Sequence, residues 1–221
     1  MRLALSSLSP DDLVVFDLDN TVLEPKQTLG SDQWWGALVQ KNLASGMNED
    51  QAIDAAITDW MKVQKETKVQ AVEMDTPSLI SNLQKKMIPS FALTARPQEV
   101  KNITLLQLRS LKIQFSKVIF LGPKQSKGEV LAEFVKRMSK KPRRIIFIDD
   151  KVKHVQSVEN AFKKSNITNI NYRYGAADPK VKNYNQRIAD IEWSYFIHYG
   201  ILLTDQQAAT IKNKGFILHE L

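Results

Sequence analysis

A doubly wound α/β domain carrying a small helical insertion is the fold the sequence predicts, and three observations predict it. Four short apolar runs, at residues 13–16, 91–93, 118–121 and 145–148, are continuous rather than alternating, as strands of a parallel sheet covered on both faces are. Stripes of helical spacing fill the gaps between the later runs. One stretch, residues 25–88, breaks the strand–helix rhythm and is too long for an ordinary connection. At 221 residues the chain can bury a sizeable core without a staple.

Taken in order, residues 13–16 give the first strand. Within residues 25–88 no good strand is evident. Ser31-Asp32 offers an N-cap for a helix bearing Trp34 and Trp35. Ile53, Ala56, Ile57, Trp60 and Met61 make the apolar face of a second helix; Leu79, Ile80, Leu83 and Met87 make that of a third. Strands follow at residues 91–93 and 118–121. Val130, Leu131, Phe134, Val135 and Met138 then line one helix, the strand at 145–148 follows, and Val152, Val155, Val158 and Phe162 line the next. The alternating residues 170–174 read as a fifth strand. Val181, Tyr184, Ile188, Ile191 and Tyr195 share one face of a last helix, entered through Asp178-Pro179. The expected division is a core of residues 1–24 and 89–221, with a helical cap at 25–88.

Composition removes several chemistries. The chain has no cysteine, which excludes a disulfide framework, thiolate zinc sites, iron–sulfur clusters and a cysteine nucleophile. No run of about eighteen apolar residues is present to form a membrane-spanning helix. The start reaches Pro10-Asp11-Asp12 too soon for a signal-peptide apolar region. Cytoplasmic synthesis and folding is the expectation, with translocation into a host cell left open. The net charge of +7 is a mild bias toward acidic partners.

The residues just beyond the strands carry the chemistry. After residues 14–16 comes Asp17-Leu18-Asp19-Asn20-Thr21; after 91–93, Thr94-Ala95-Arg96; after 145–148, Asp149-Asp150. The ends of parallel strands lie on one edge, where ligands bind. Lys127, opening the helix after the strand at 118–121, can join them. Carboxylates gathered there repel unless a cation sits among them, by about 4 kcal/mol for charges ~4 Å apart at an effective dielectric of 20. Oxygen ligands without cysteine or histidine nearby suit a hard ion such as Mg²⁺. Asp17 and Asp19 offer a nucleophile beside a group able to exchange a proton.

These four motifs, in this order, resemble the haloacid dehalogenase superfamily of phosphatases and phosphotransferases over roughly residues 13–174. DxDxT stands as Asp17 to Thr21, the strand-end threonine as Thr94, the lysine ahead of a helix as Lys127-Gly128, and the acidic pair as Asp149-Asp150. The resemblance implies a Rossmann-like three-layer core with a parallel sheet and a small α-helical cap of the first type inserted after strand 1. It implies that Asp17 attacks phosphorus and becomes an aspartyl phosphate. Asp19 would protonate the leaving oxygen and then activate water. Thr94 and Ala95 would bind the phosphoryl group, and Lys127 would neutralise it. Mg²⁺ would be held by Asp17, the backbone carbonyl of Asp19 and Asp149, with Asp150 either ligating directly or positioning a bound water. Dehalogenase relatives lack the second carboxylate, so Asp19 points to phosphoryl chemistry.

Ser31-Asp32-Gln33-Trp34 and residues 199–204 look like a bacterial branch of that superfamily. Its neighbourhood includes effector phosphatases that attack phosphotyrosine, so a phosphotyrosine protein is the expected substrate. A sugar or nucleotide phosphate is the alternative, as are a phosphotransferase, a nucleic-acid end phosphatase, and a non-enzymatic interaction module. Lys124 rivals Lys127 on the same loop. Arg96 is a candidate substrate clamp, and Trp34 and Trp35 are candidate substrate contacts, although large aromatics beside apolar helices are more often core. His154, His198 and His219 show no ligand-like spacing and are assigned no chemistry. The cluster Lys136, Arg137, Lys140, Lys141, Arg143 and Arg144 precedes a strand, at the opposite edge from Asp149. It reads as a solvated helix end in preference to a lipid or nucleic-acid patch.

Overall fold

The strand-forming runs assemble as one sheet. The computed structural model describes residues 1, 5 and 7–213; Arg2, Leu3 and Ala4 of the chain start, and His219, lie outside the described residues. The strands are β1 (Asp12–Phe16), β2 (Leu23–Pro25), β3 (Val69–Ala71), β4 (Ser90–Thr94), β5 (Lys117–Phe120), β6 (Arg144–Asp149) and β7 (Thr168–Arg173). Five of them form the sheet in the order β5-β4-β1-β6-β7, and every pairing is parallel. The expected α/β class with a parallel sheet flanked by helices is the observed one. Its register matters for function. Phe16 is level with Ala92 and Ile148, so the chain leaves β1, β4 and β6 at one edge.

The helices are α1 (Asp32–Ala44), α2 (Glu49–Gln64), α3 (Thr76–Lys85), α4 (Lys101–Ser110), α5 (Lys127–Arg137), α6 (Val152–Phe162), α7 (Asp178–Lys182), α8 (Gln186–Tyr199) and α9 (Asp205–Asn213). A single 3₁₀ turn, Gln98–Val100, leads into α4. Side chains alternate across a strand. Leu13 and Val15, with Phe91, Leu93, Ile145 and Phe147, therefore pack on Leu131 and Val135 of α5 and on Val158 and Phe162 of α6. Each such side chain, once fully buried, contributes about 1.5–3 kcal/mol. On the other face Phe16 meets Phe115, ring centroids 5.7 Å apart.

The chain divides into two compact units. One comprises Met1–Leu23 with Ala71–Ala177, the other Glu24–Gln70 with Asp178–Leu221. This departs from the sequence division at residues 24, 88 and 89 in two ways. The third helix of the stretch, α3, belongs with the sheet, where it lies against β4 and buries Ile80 and Leu83. The C-terminal helices belong with the insertion instead of the core, because α8 packs Trp193 on Trp34 of α1, centroids 5.4 Å apart. All four tryptophans, Trp34, Trp35, Trp60 and Trp193, are in this second unit.

Two local readings also change. The stretch expected to lack strands contains β3, which pairs as a two-stranded sheet with β2 at the stretch's N-terminal border. The single C-terminal stripe is broken into α7 and α8, because Asn185 leaves the helix and caps α8, its side chain accepting from the Ile188 N–H at 3.3 Å. Asparagine favours that exchange of a helical position for a cap.

Candidate active site

The turn after β1 is built around one carbonyl. Asp17 N–H still donates to Ile148 O at 2.9 Å, extending the ladder by one residue. The chain then folds so that Thr21, Val22 and Leu23 N–H all point at Leu18 O, at 3.2, 2.8 and 3.0 Å. Asn20 takes up φ 60°, a left-handed conformation that asparagine tolerates better than most residues. This turn places Asp17 and Asp19 at the sheet edge, Asp17 buried, without unpairing the strand. At the end of β4, Thr94 Oγ1 accepts from Arg96 N–H at 3.1 Å, and the threonine is buried.

Lys127 is carried to the same edge by α5. Ser126 caps the helix, and Gly128 presses on α6: a Cβ there would lie 2.1 Å from Ser157 O. Gly128 N–H donates to Ser157 Oγ at 2.8 Å. That close approach fixes the start of α5. The Lys127 ammonium, 1% exposed, donates to Asp17 Oδ1 and to Asp149 Oδ2, the latter at 2.7 Å. Lys124, its rival on the loop, is exposed.

Asp149 is fully buried at the end of β6. Its Oδ1 accepts from Lys151 N–H at 2.8 Å, and His154 Nδ1 stands 3.1 and 3.2 Å from its two oxygens. Asp150 Oδ2 accepts from the Asn20 side-chain amide at 3.3 Å. Among the described residues, Asp17, Asp149 and Asp150 bring ligand oxygens within 4.8 Å of one another. The Asp19 carboxylate turns aside. Arg96 forks it, Nε to Oδ2 at 2.8 Å and Nη2 to Oδ1 at 2.7 Å, and anchors itself through Nη1 on Thr104 and Gln107 at 3.0 and 2.6 Å.

The electrostatics follow from burial and from these partners. Burial pushes the Asp17 carboxyl well above its ordinary value; Lys127 opposes the rise, and the charges of Asp149 and Asp150 add to it. Burial would raise Asp149 too, but Lys127 and His154 overcome it and hold that carboxyl well below the usual range. Burial works against the Lys127 charge, yet Asp149 and Asp17 more than compensate, and its ammonium is held above its ordinary value. Burial lowers His154 further than the hydrogen bond to Asp149 raises it. Lys127 reaches Asp17 and Asp149 of the trio, and every ligand atom the trio offers is oxygen. That set fits a hard divalent cation such as Mg²⁺, and Asp17, Asp149 and Asp150 are the side chains that would hold it.

Asp17, Lys127, Asp149 and Asp150 thus lie together at one edge of the sheet. Arg96 sits beside Asp19, committed to it. Trp34, at 1% exposure, and Trp35 are packed among the helices of the second unit, Trp35 against Val39, Ala52 and Ala56. His198 donates from Nδ1 to Ser194 O at 2.8 Å within its own helix. Two site residues escaped the sequence reading. His154 has a usable signal, a histidine in the first helical turn five residues after a strand-end aspartate. Asn20 stands inside the DxDxT motif, and its left-handed φ is the reason for its residue type.

Known proteins resemble this chain at several levels. The solved structure of Protein Tyrosine Kinase A from Mycobacterium tuberculosis shares the fold, with a TM-score of 0.52 and 17% identity over 75% of this chain and 84% of its own. A hydrolase of the haloacid dehalogenase-like family from Streptococcus pneumoniae covers 77% of this chain and 97% of its own at a TM-score of 0.48 and 13% identity. A "Putative outer membrane protein" of Chlamydia trachomatis serovar D is 25% identical over 198 residues, 82% of this chain and 76% of that protein. Among the described residues no helix is long and apolar enough to cross a membrane. The family described as "Protein of unknown function (DUF2608)" matches residues 3–119 and 117–209, and the chain belongs to that family.

Proposed function

We propose that the chain is a phosphomonoester phosphatase that works through an aspartyl phosphate on Asp17. One observation carries the reading: a buried lysine, Lys127, bridges two carboxylates from different strands, Asp17 and Asp149, at the edge where β1 and β6 end. Core packing alone gives no reason to bury two acids and a lysine together, since desolvating such ions costs several kcal/mol each. Phosphoryl transfer does, because it needs positioning and charge neutralisation more than covalent machinery.

In this mechanism a carboxylate oxygen of Asp17 bonds to phosphorus as the ester P–O bond breaks, and the leaving oxygen takes a proton from Asp19. Water then attacks phosphorus and gives its proton to Asp19. The acyl-phosphate P–O bond breaks, freeing phosphate and the Asp17 carboxylate. Lys127 binds the phosphoryl oxygens, and Thr94 with the Ala95 backbone orients them. Proton transfer by Asp19 requires Arg96 to yield one of the two oxygens it holds in this structure. A bound Mg²⁺ would supply charge neutralisation at the phosphoryl group.

Release of inorganic phosphate from an aryl phosphate tests the proposal. The Asp17→Asn variant is expected to lose activity by a factor of at least about 10³ while remaining folded by circular dichroism; native rates in that variant would remove Asp17 from the nucleophile role. Chelation is expected to abolish release and Mg²⁺ to restore it. For the substrate, phosphotyrosine peptides form the first arm, compared with phosphoserine peptides, nucleotides and sugar phosphates.

A further inference from the structure

We propose that His154 is the positioning residue of the acidic trio, its Nδ1–H fixing the plane of the Asp149 carboxylate so that the group can serve a divalent cation. The inference rests on the reading of Asp149 as a metal ligand.

A buried carboxylate needs its lone pairs satisfied. Asp149 is wholly enclosed, so each of its roughly four lone-pair positions needs a donor or a cation. Lys127 Nζ serves Oδ2 and Lys151 N–H serves Oδ1, one donor per oxygen. His154 Nδ1 lies within reach of both oxygens, at 3.1 and 3.2 Å. A carboxylate only accepts, so Nδ1 must carry the hydrogen, and the ring is not a ligand through that atom.

Geometry separates this role from ordinary helix capping. α6 begins at Val152, and its N-cap, Lys151, makes no side-chain cap. Asp149 Oδ1 already accepts the Lys151 N–H, which supplies the local turn without the ring. His154 stands on the first turn of α6, and its ring, 17% exposed as a side chain, lies back across the strand end. Without the ring, one donor remains on each oxygen, and the carboxylate plane is held by two contacts in place of four. Outer partners that orient a ligating group in this way are worth 10–100-fold in metal affinity.

Binding of Mn²⁺ alone to the full chain, followed by electron paramagnetic resonance and titration calorimetry, tests the proposal. His154→Ala is expected to weaken Mn²⁺ about 10–100-fold. His154→Asn, whose amide N–H can occupy the place of Nδ1–H, is expected to recover most of that loss, and His154→Phe none of it. Thermal melts of each variant show whether affinity changes without stability, as positioning requires. Native affinity in His154→Ala, or a loss that follows the melting temperature and is not recovered by His154→Asn, would overturn the proposal while leaving the metal reading intact. Failure of the unaltered chain to bind Mn²⁺ would overturn the metal reading and this inference with it.

Discussion

Asn20 shows how much one position can decide. Its φ of 60° is a conformation that costs an ordinary L residue about 1–2 kcal/mol, and its amide also supports Asp150. Asn20→Ala is therefore expected to lose about 1 kcal/mol in urea denaturation, whereas Asn20→Gly should keep the backbone and lose the side-chain contacts, that to Asp150 among them. Equal stability of the two variants would show that the turn does not constrain the chain. The chemistry-bearing types are legible at this scale, because strand ends announce Asp17, Thr94 and Asp149 to a reader of the sequence. Their couplings are not. Arg96 forks Asp19 from 77 residues away in the chain, and the Thr104 and Gln107 contacts that aim it are a product of tertiary packing. His154 is hidden because ligand-like spacing is a relation among histidines, and its partner is an aspartate.

Among elements, the α5–α6 pair is the most exacting. With Ser157 O 2.1 Å from any added Cβ, Gly128→Ala must spread the two helices, at a cost of about 1–3 kcal/mol, and carry Lys127 with it. Loss of phosphate release beyond what the melting temperature explains would mark that displacement; an unchanged melt would show that the helices separate freely. In the second unit Glu192 of α8 is fully buried and accepts from Leu29 N–H at 2.7 Å. Burial and the neighbouring Asp205 push its carboxyl up to about 9 from an ordinary value of 4.5. The folded state thus holds a proton that the unfolded chain gives up, so this group's contribution to stability is full below about pH 4.5 and is lost as pH rises to about 9. Glu192→Gln, which copies the protonated form, is expected to flatten that decline in melts taken across the interval. Longer elements are legible from apolar runs and stripes. β2 and β3, three residues each, are too short to show a period, and the α7–α8 break depends on one cap that a stripe count passes over.

For the molecule as a whole, charge is placed more carefully than its +7 total suggests. Asp12, buried at the start of β1, accepts from Arg143 at 3.0 Å and from Arg144 at 2.8 Å. Lys140 pairs with Asp11, Arg137 with Glu133, and the Lys141 ammonium donates to the Val135 and Met138 carbonyls at the end of α5. Replacing Arg143 and Arg144 together by Met should leave the Asp12 carboxylate with Ser9 as its donor and no cation, and lower stability in chemical denaturation by more than the exposed replacements Lys136→Ser and Lys140→Ser, which should stay within about 0.5 kcal/mol. The division into two units is the least legible feature, because each is assembled from separated segments and a boundary between segments leaves no compositional mark. The distribution of tryptophans across those units makes the protein its own optical probe. Intrinsic indole emission reports on the helical unit alone, while the sheet edge that carries Asp17 and Asp149, in a unit without indole, stays dark. Melting curves followed by that emission and by backbone circular dichroism, which sums over both units, therefore weight the molecule differently, and the interval between their midpoints reads out whether the two units unfold together.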